Sequence, residues 1–221
     1  MTQQESKGPA ARAARGAASA GGAALAAATR VMAAVRTAAK PLHPRGVVLA
    51  GRLVRHGSVA GSGVAWLDEP GEDDVVVRLS RAIGLPRGLP DIHGLAIRVL
   101  TPAHAGDLLL ATTGWGRLGR FVLVPSRDVG SRPLTTLVPY RTVVGAVVLG
   151  ARATGAGTYE LSWAPYAGDW QAFATLHLGT ERDTAVEFDP VRHQVPGLEQ
   201  YSVVTRLREP AYLGARRSRR S

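Results

Sequence analysis

From Gly46 onward the chain loses any helical period. It runs instead as short apolar stretches cut by glycine, proline and acidic turns. The densest part is Val75 to Thr113, where V-V-V-R-L-S-R, H-G-L-A-I-R-V and G-D-L-L-L-A-T-T follow one another with an arginine, an aspartate and a glycine at their edges. Strands are expected over 46–56, 74–80, 93–100, 107–113, 120–125, 142–154, 158–166, 171–178 and 184–188. In the second half the alternation is sharp: Tyr159, Leu161 and Trp163 share one face of their strand, Glu160 and Ser162 the other. The G-A-G at 155–157 is a hairpin turn between two of these runs. Eight or nine short strands in series imply an antiparallel barrel or sandwich, and 221 residues that are 45% apolar can bury its core.

The ends differ from this body. Residues 1–22 are low-complexity Ala, Gly, Ser and Arg and read as an arm. A helix is expected over 23–39, stopped by Pro41 and Pro44. Residues 1–45 carry seven basic side chains against Glu5, and residues 206–221 six against Glu209. Of a net charge of +10, the body therefore holds almost nothing. The division is an arm and helix over 1–40, a barrel domain over 41–205 and a basic tail over 206–221. The tail has no interleaved aromatics for stacking bases, so it reads as a solvated tail and gives no strong nucleic-acid signal. With no cysteine in the chain, disulfides, thiolate nucleophiles and cysteine metal sites are excluded. No apolar run is long enough for a transmembrane helix, and arginines interrupt the Ala-rich start, so a cytoplasmic location is the expectation.

Four motifs stand in order. Leu42-His43-Pro44-Arg45-Gly46 precedes the first strand, Arg78-Leu79-Ser80 follows, then Asp91-x-x-Gly94-x-Ala96, then Asp107-Leu108. In this order and spacing, roughly from Pro41 to Asp128, the chain resembles the haem-side barrel of catalases, whose pattern runs V-H-A-K-G, R-F-S, D-x-x-G-F-A and W-D-L-x-x-N-N-T. The resemblance implies a mainly β protein: a catalase-like antiparallel eight-stranded β-barrel with an N-terminal Ala-rich helix and a short C-terminal extension. It implies haem as cofactor, peroxide or another small molecule as ligand, His43 as the acid–base group, Ser80 orienting it, and Arg78 pairing with a haem propionate. It departs at the catalytic asparagine, where Thr112 is the best-aligned residue. Two alignments compete at the far end. Arg208-Glu209-Pro210-Ala211-Tyr212 has the R-x-x-x-Y spacing of the family's tyrosinate iron ligand, whose neighbouring arginine favours the ionised phenol. The same segment is similar to the L-x-R-N-P-x-x-Y stretch that ends the catalase barrel before that ligand. Larger catalases interlock through N-terminal arms, so a homo-oligomer is a further implication.

Two other classes stay open. Asp91-x-His93 followed by Gly106-Asp107 resembles the opening of metallophosphoesterases, a phosphodiesterase-type hydrolase in which carboxylates and imidazoles clamp two metals; the later G-N-H and G-H-x-H motifs are missing. The third class is a non-enzymatic barrel that binds a planar or apolar ligand or a partner. In it Trp66, Trp115, Trp163 and Trp170 are core or rim residues, and His104, His177 and His193 are surface or strand histidines.

Overall fold

The computed structural model describes residues 46–204 apart from 83, 87, 101–104, 185 and 203. The strands are β1 (Val47–Arg55), β2 (Gly71–Arg81), β3 (His93–Leu100), β4 (Ala105–Thr112), β5 (Leu134–Thr135), β6 (Tyr140–Thr142), β7 (Gly145–Gly155), β8 (Thr158–Pro165), β9 (Gln171–Glu181) and β10 (Glu199–Gln200). A one-turn helix α1 (Ala65–Asp68) links β1 to β2. Every pairing is antiparallel. β1, β2, β3, β4, β5, β7, β8 and β9 pair in sequence, and β9 returns to β1, so eight strands close an up-and-down barrel. β6 and β10 extend the sheet beside β7. The barrel expected from the strand series is therefore present, and its closure leaves no free edge among these eight strands.

Alternation decides which side chains go inside. Leu53, Val75, Val77, Leu95, Ile97, Val99, Leu108 and Leu110 line the interior from β1–β4, and Leu149, Tyr159, Leu161, Trp163 and Leu176 from the other half. All are buried. Each such side chain contributes roughly 1.5–3 kcal/mol of transfer free energy. The interior is thus a packed core. Burial also raises the pKa of the Tyr159 phenol, with the Asp128 carboxylate a secondary cause. The turn between β7 and β8 is the two-residue Ala156-Gly157, with Gly157 at φ 71° as the G-A-G signal required.

The region between β4 and β5 departs from expectation. Where a strand was expected over 120–125, a 3-10 turn at Gly119–Phe121 sends two side chains inward against the outer surface of β7 and β8. Arg120 is 2% exposed. It donates to the carbonyls of Gly116, Pro165 and Gly168. Its guanidinium lies 4.4 Å over Trp170. Trp170 stacks on Trp115 at 4.0 Å, and Arg152 covers the far face of Trp115 at 4.9 Å. This column of two indoles between two cations stands over Gly150, where a Cβ would come within 2.9 Å of both rings. Burial, and next the charge of Arg117, lower the pKa of Arg120, though a guanidinium stays a cation.

Among the described residues of 184–188 none is in a strand either. Residues 186–198 instead make a strap over the outside of β3 and β4. Its anchor is Asp107, whose side chain is fully buried. Arg98, directly opposite on β3, donates Nε to Oδ1 at 2.7 Å and Nη2 to Oδ2 at 2.6 Å. Arg98 also donates to the Glu187 carbonyl at 2.5 Å. The Asp189 amide donates to Asp107 Oδ2 at 2.6 Å, and the Asp107 amide donates to the His193 carbonyl at 2.9 Å. The hydrogen bond that Arg98 donates to Asp107 is the leading cause of the raised pKa of Arg98. Past this anchor, Val195 and Leu198 enter the main core. The expected helix over 23–39 lies outside the described residues.

Removing one member of a buried ion pair strands the other charge. Asp107→Ala is expected to lower the unfolding free energy by about 3 kcal/mol. The double replacement Arg98→Met with Asp107→Leu is expected to lose clearly less. Urea denaturation of the three proteins checks both.

Candidate functional site

The face of interest is the outside of β1–β4, because the inside is filled. Residues of β2 with even numbers point outward, which puts Arg78 and Ser80 on the surface side of the wall. Register sets their neighbours. Arg78 pairs with Ala96 and then Leu109; Ser80 pairs with Gly94 and then Ala111. All six are half-buried. The Arg78 side chain lies along the backbone of Gly46, where a Cβ would come 2.6 Å from its Nε. A Cβ on Gly94 would come 2.7 Å from Ser80 Oγ. Gly94, Ala96 and Ala111 therefore leave a low stretch of surface, bounded by the Leu109 side chain, the Arg78 guanidinium and the Ser80 hydroxyl. The next row along, Val76, Arg98 and Asp107, is where the strap crosses, so one end of this surface is closed by chain.

Thr112 lies elsewhere. It is fully buried, and its Oγ1 accepts a hydrogen bond from the His93 amide at 3.2 Å. The sequence alignment places Thr112 with Arg78 and Ser80; the pleat puts it on the opposite side of the wall. His93 is buried beside it, and its Nε2 donates to the Ser126 carbonyl at 3.0 Å. Asp91, also fully buried, accepts from the amides of Gly84 at 2.8 Å and Leu85 at 3.2 Å. It shapes the β2–β3 connection. His43, Arg208 and Tyr212 lie outside the described residues.

The hydrolase arrangement does not assemble. His93 faces the interior, Asp107 faces outward into its ion pair with Arg98, and Asp91 is engaged by loop amides. Among the described residues no group of three or more His, Asp or Glu is placed to hold a metal ion. The D-x-H and G-D motifs are thus not brought together among the described residues: His93 lies at the start of β3 and Asp107 near the start of β4, at opposite ends of the paired strands.

The alignment also missed a histidine. Nδ1 of His193 stands 3.2 Å from Asp107 Oδ2 and 3.2 Å from Arg98 Nη2. Its only sequence signal was an isolated charge, Arg98 or Asp107, inside each of two apolar runs.

The chain matches no protein-family model and no curated protein. Among the described residues no helix is long and apolar enough to cross a membrane.

Thr112→Val leaves the buried His93 amide without its acceptor. The expected cost is about 1–2 kcal/mol of stability, read by thermal and urea unfolding.

Proposed function

We propose that this barrel binds a planar, carboxylate-bearing ligand of the haem type on the outer face of β2–β4. The observation that carries the reading is the cradle itself: Gly94, Ala96 and Ala111 in register beside Arg78 and Ser80. A flat ring needs wall atoms that stay low, and at Gly94 the wall is low enough that Ser80 Oγ sits 2.7 Å from where a Cβ would be. A ring bearing propionates needs a cation at its edge, which Arg78 supplies. Of the catalase-like motifs, Arg78-x-Ser80 and Gly94-x-Ala96 fall on this face.

Bound haem would supply the redox centre for peroxide or organic-hydroperoxide turnover. The chain supplies the seat, the charge at its edge and, in this reading, His43 to move a proton between peroxide oxygens. Tyr212, four positions after Arg208 in the chain, is the proposed iron ligand. Thr112 has no part in the peroxide step, since its hydroxyl is committed inside the barrel. With Thr112 aligned where the family has its asparagine, and its hydroxyl bonded inside the wall, turnover would be weak, and ligand binding is the core of the proposal.

Titration of the purified protein with haemin, followed at the Soret band, tests it. A saturable one-to-one shift is expected, weakened about tenfold or more, some 1.4 kcal/mol, by Gly94→Leu and by Arg78→Ala. Thr112→Val is expected to leave it unchanged, and Tyr212→Phe to alter the shape of the band. No saturable shift, or one indifferent to Gly94→Leu, overturns the proposal.

A further inference from the structure

At the opposite end of β1–β4 the barrel mouth holds a cavity of about 270 Å³. Inward-facing Arg55 and Val99 meet α1 and the strap there, and Trp66, Val195 and Pro196 complete the apolar wall. Trp66 is held in place before any ligand arrives. Its Nε1 donates to Asp73 Oδ2 at 3.1 Å, and its ring packs edge-on against Phe173 at 5.4 Å. A rigid aromatic wall of this kind does not have to be ordered when a ligand binds.

Charge selects the ligand. Arg55 is the obvious anion receptor, but it is already neutralised. Its Nε donates to Asp73 Oδ2 at 2.7 Å, and its Nη1 donates to the carbonyls of Glu69 at 2.7 Å and Trp66 at 3.4 Å. With the Arg55–Asp73 pair cancelled, the charge left on the cavity is the carboxylate of Glu69. Glu69 is exposed, is one of the residues around the cavity, and makes no ion pair among the described residues. The Arg55 guanidinium already lies 6.0 Å over the Trp66 ring, so the indole serves as apolar wall and the carboxylate is what favours a cation with an apolar body. Size narrows it further: an apolar cavity of about 150 Å³ accepts benzene, so this one has room for a ring carrying a short amino arm.

We infer that the barrel mouth is a binding site for a small hydrophobic primary amine, with Glu69 facing the ammonium group and Trp66 and Val99 the apolar body. The site shares no residue with the outer face and does not depend on the haem reading.

The test is titration of the full-length protein at neutral pH with phenethylamine, followed by calorimetry and tryptophan fluorescence. 3-Phenylpropionate and ethylbenzene, of similar shape, serve as anionic and neutral comparisons. Saturable amine binding is expected, with the carboxylate at least tenfold weaker. Glu69→Gln, a change at an exposed position, is expected to weaken the amine at least fivefold and leave ethylbenzene unchanged. Ala65→Trp, also at an exposed position, is expected to block all three. Equal binding of amine and carboxylate, amine affinity indifferent to Glu69→Gln, or no saturable binding with the fold intact by circular dichroism overturns the inference.

Discussion

The ion pair of Arg98 with Asp107 is where the two halves of this protein's organisation meet. Within the wall it is a cross-strand pair in a hairpin, which alone would be worth little. Its importance comes from what else it holds: a carboxylate with a fully buried side chain also takes an amide of the strap, and the guanidinium takes a strap carbonyl. A buried charge tolerates no partial solution, because any partner lost leaves desolvation uncompensated. The strap therefore follows one path over β3 and β4, and that path delivers Val195 and Leu198 to the core. It also bounds the outer face on one side and the mouth cavity on the other. One interaction thereby gives the barrel both of its candidate surfaces.

Much of the architecture was legible because it rests on period two. The strand expected over 93–100 is β3, and the runs around 46–56, 158–166 and 171–178 are β1, β8 and β9 to within a few residues. Tyr159, Leu161 and Trp163 face inward together because nothing local competes with alternation. Illegible stretches were those where tertiary partners decide. Residues 120–125 have strand composition, yet Arg120 is drawn onto Trp170 and three carbonyls, and Phe121 stacks on Tyr166 at 5.0 Å. The two residues of β5 are too few to leave a pattern.

The candidate face was half legible for the same reason. Arg78 and Ser80, two apart, had to share a side. Thr112 came from motif order, which says nothing about the face a residue takes, and counting across from Gly94 to Ala111 puts it inside the wall. Small side chains at Gly94, Ala96 and Ala111 looked like the general abundance of Ala and Gly in this chain; only register shows that they lie together. Residues that could not have been found are those joined by the strap. Nothing in a linear reading connects Asp107 with His193, 86 positions later.

Closure of the barrel is uneven. Eight or nine register pairs join β1 to β2 and β2 to β3, but β5 contributes just Leu134 and Thr135 to each neighbour, meeting Ala111 and Thr112 on one side and Gly150 and Ala151 on the other. The wall thus has a seam. It is stitched from outside, where Thr135 Oγ1 donates to the Arg120 carbonyl at 2.6 Å and the indole column sits over Gly150. Local opening follows the smallest number of bonds broken, so thermal breathing of this cylinder is directed to the β4–β5–β7 side. The candidate outer face and the mouth sit largely on the stiffer β1–β4 arc.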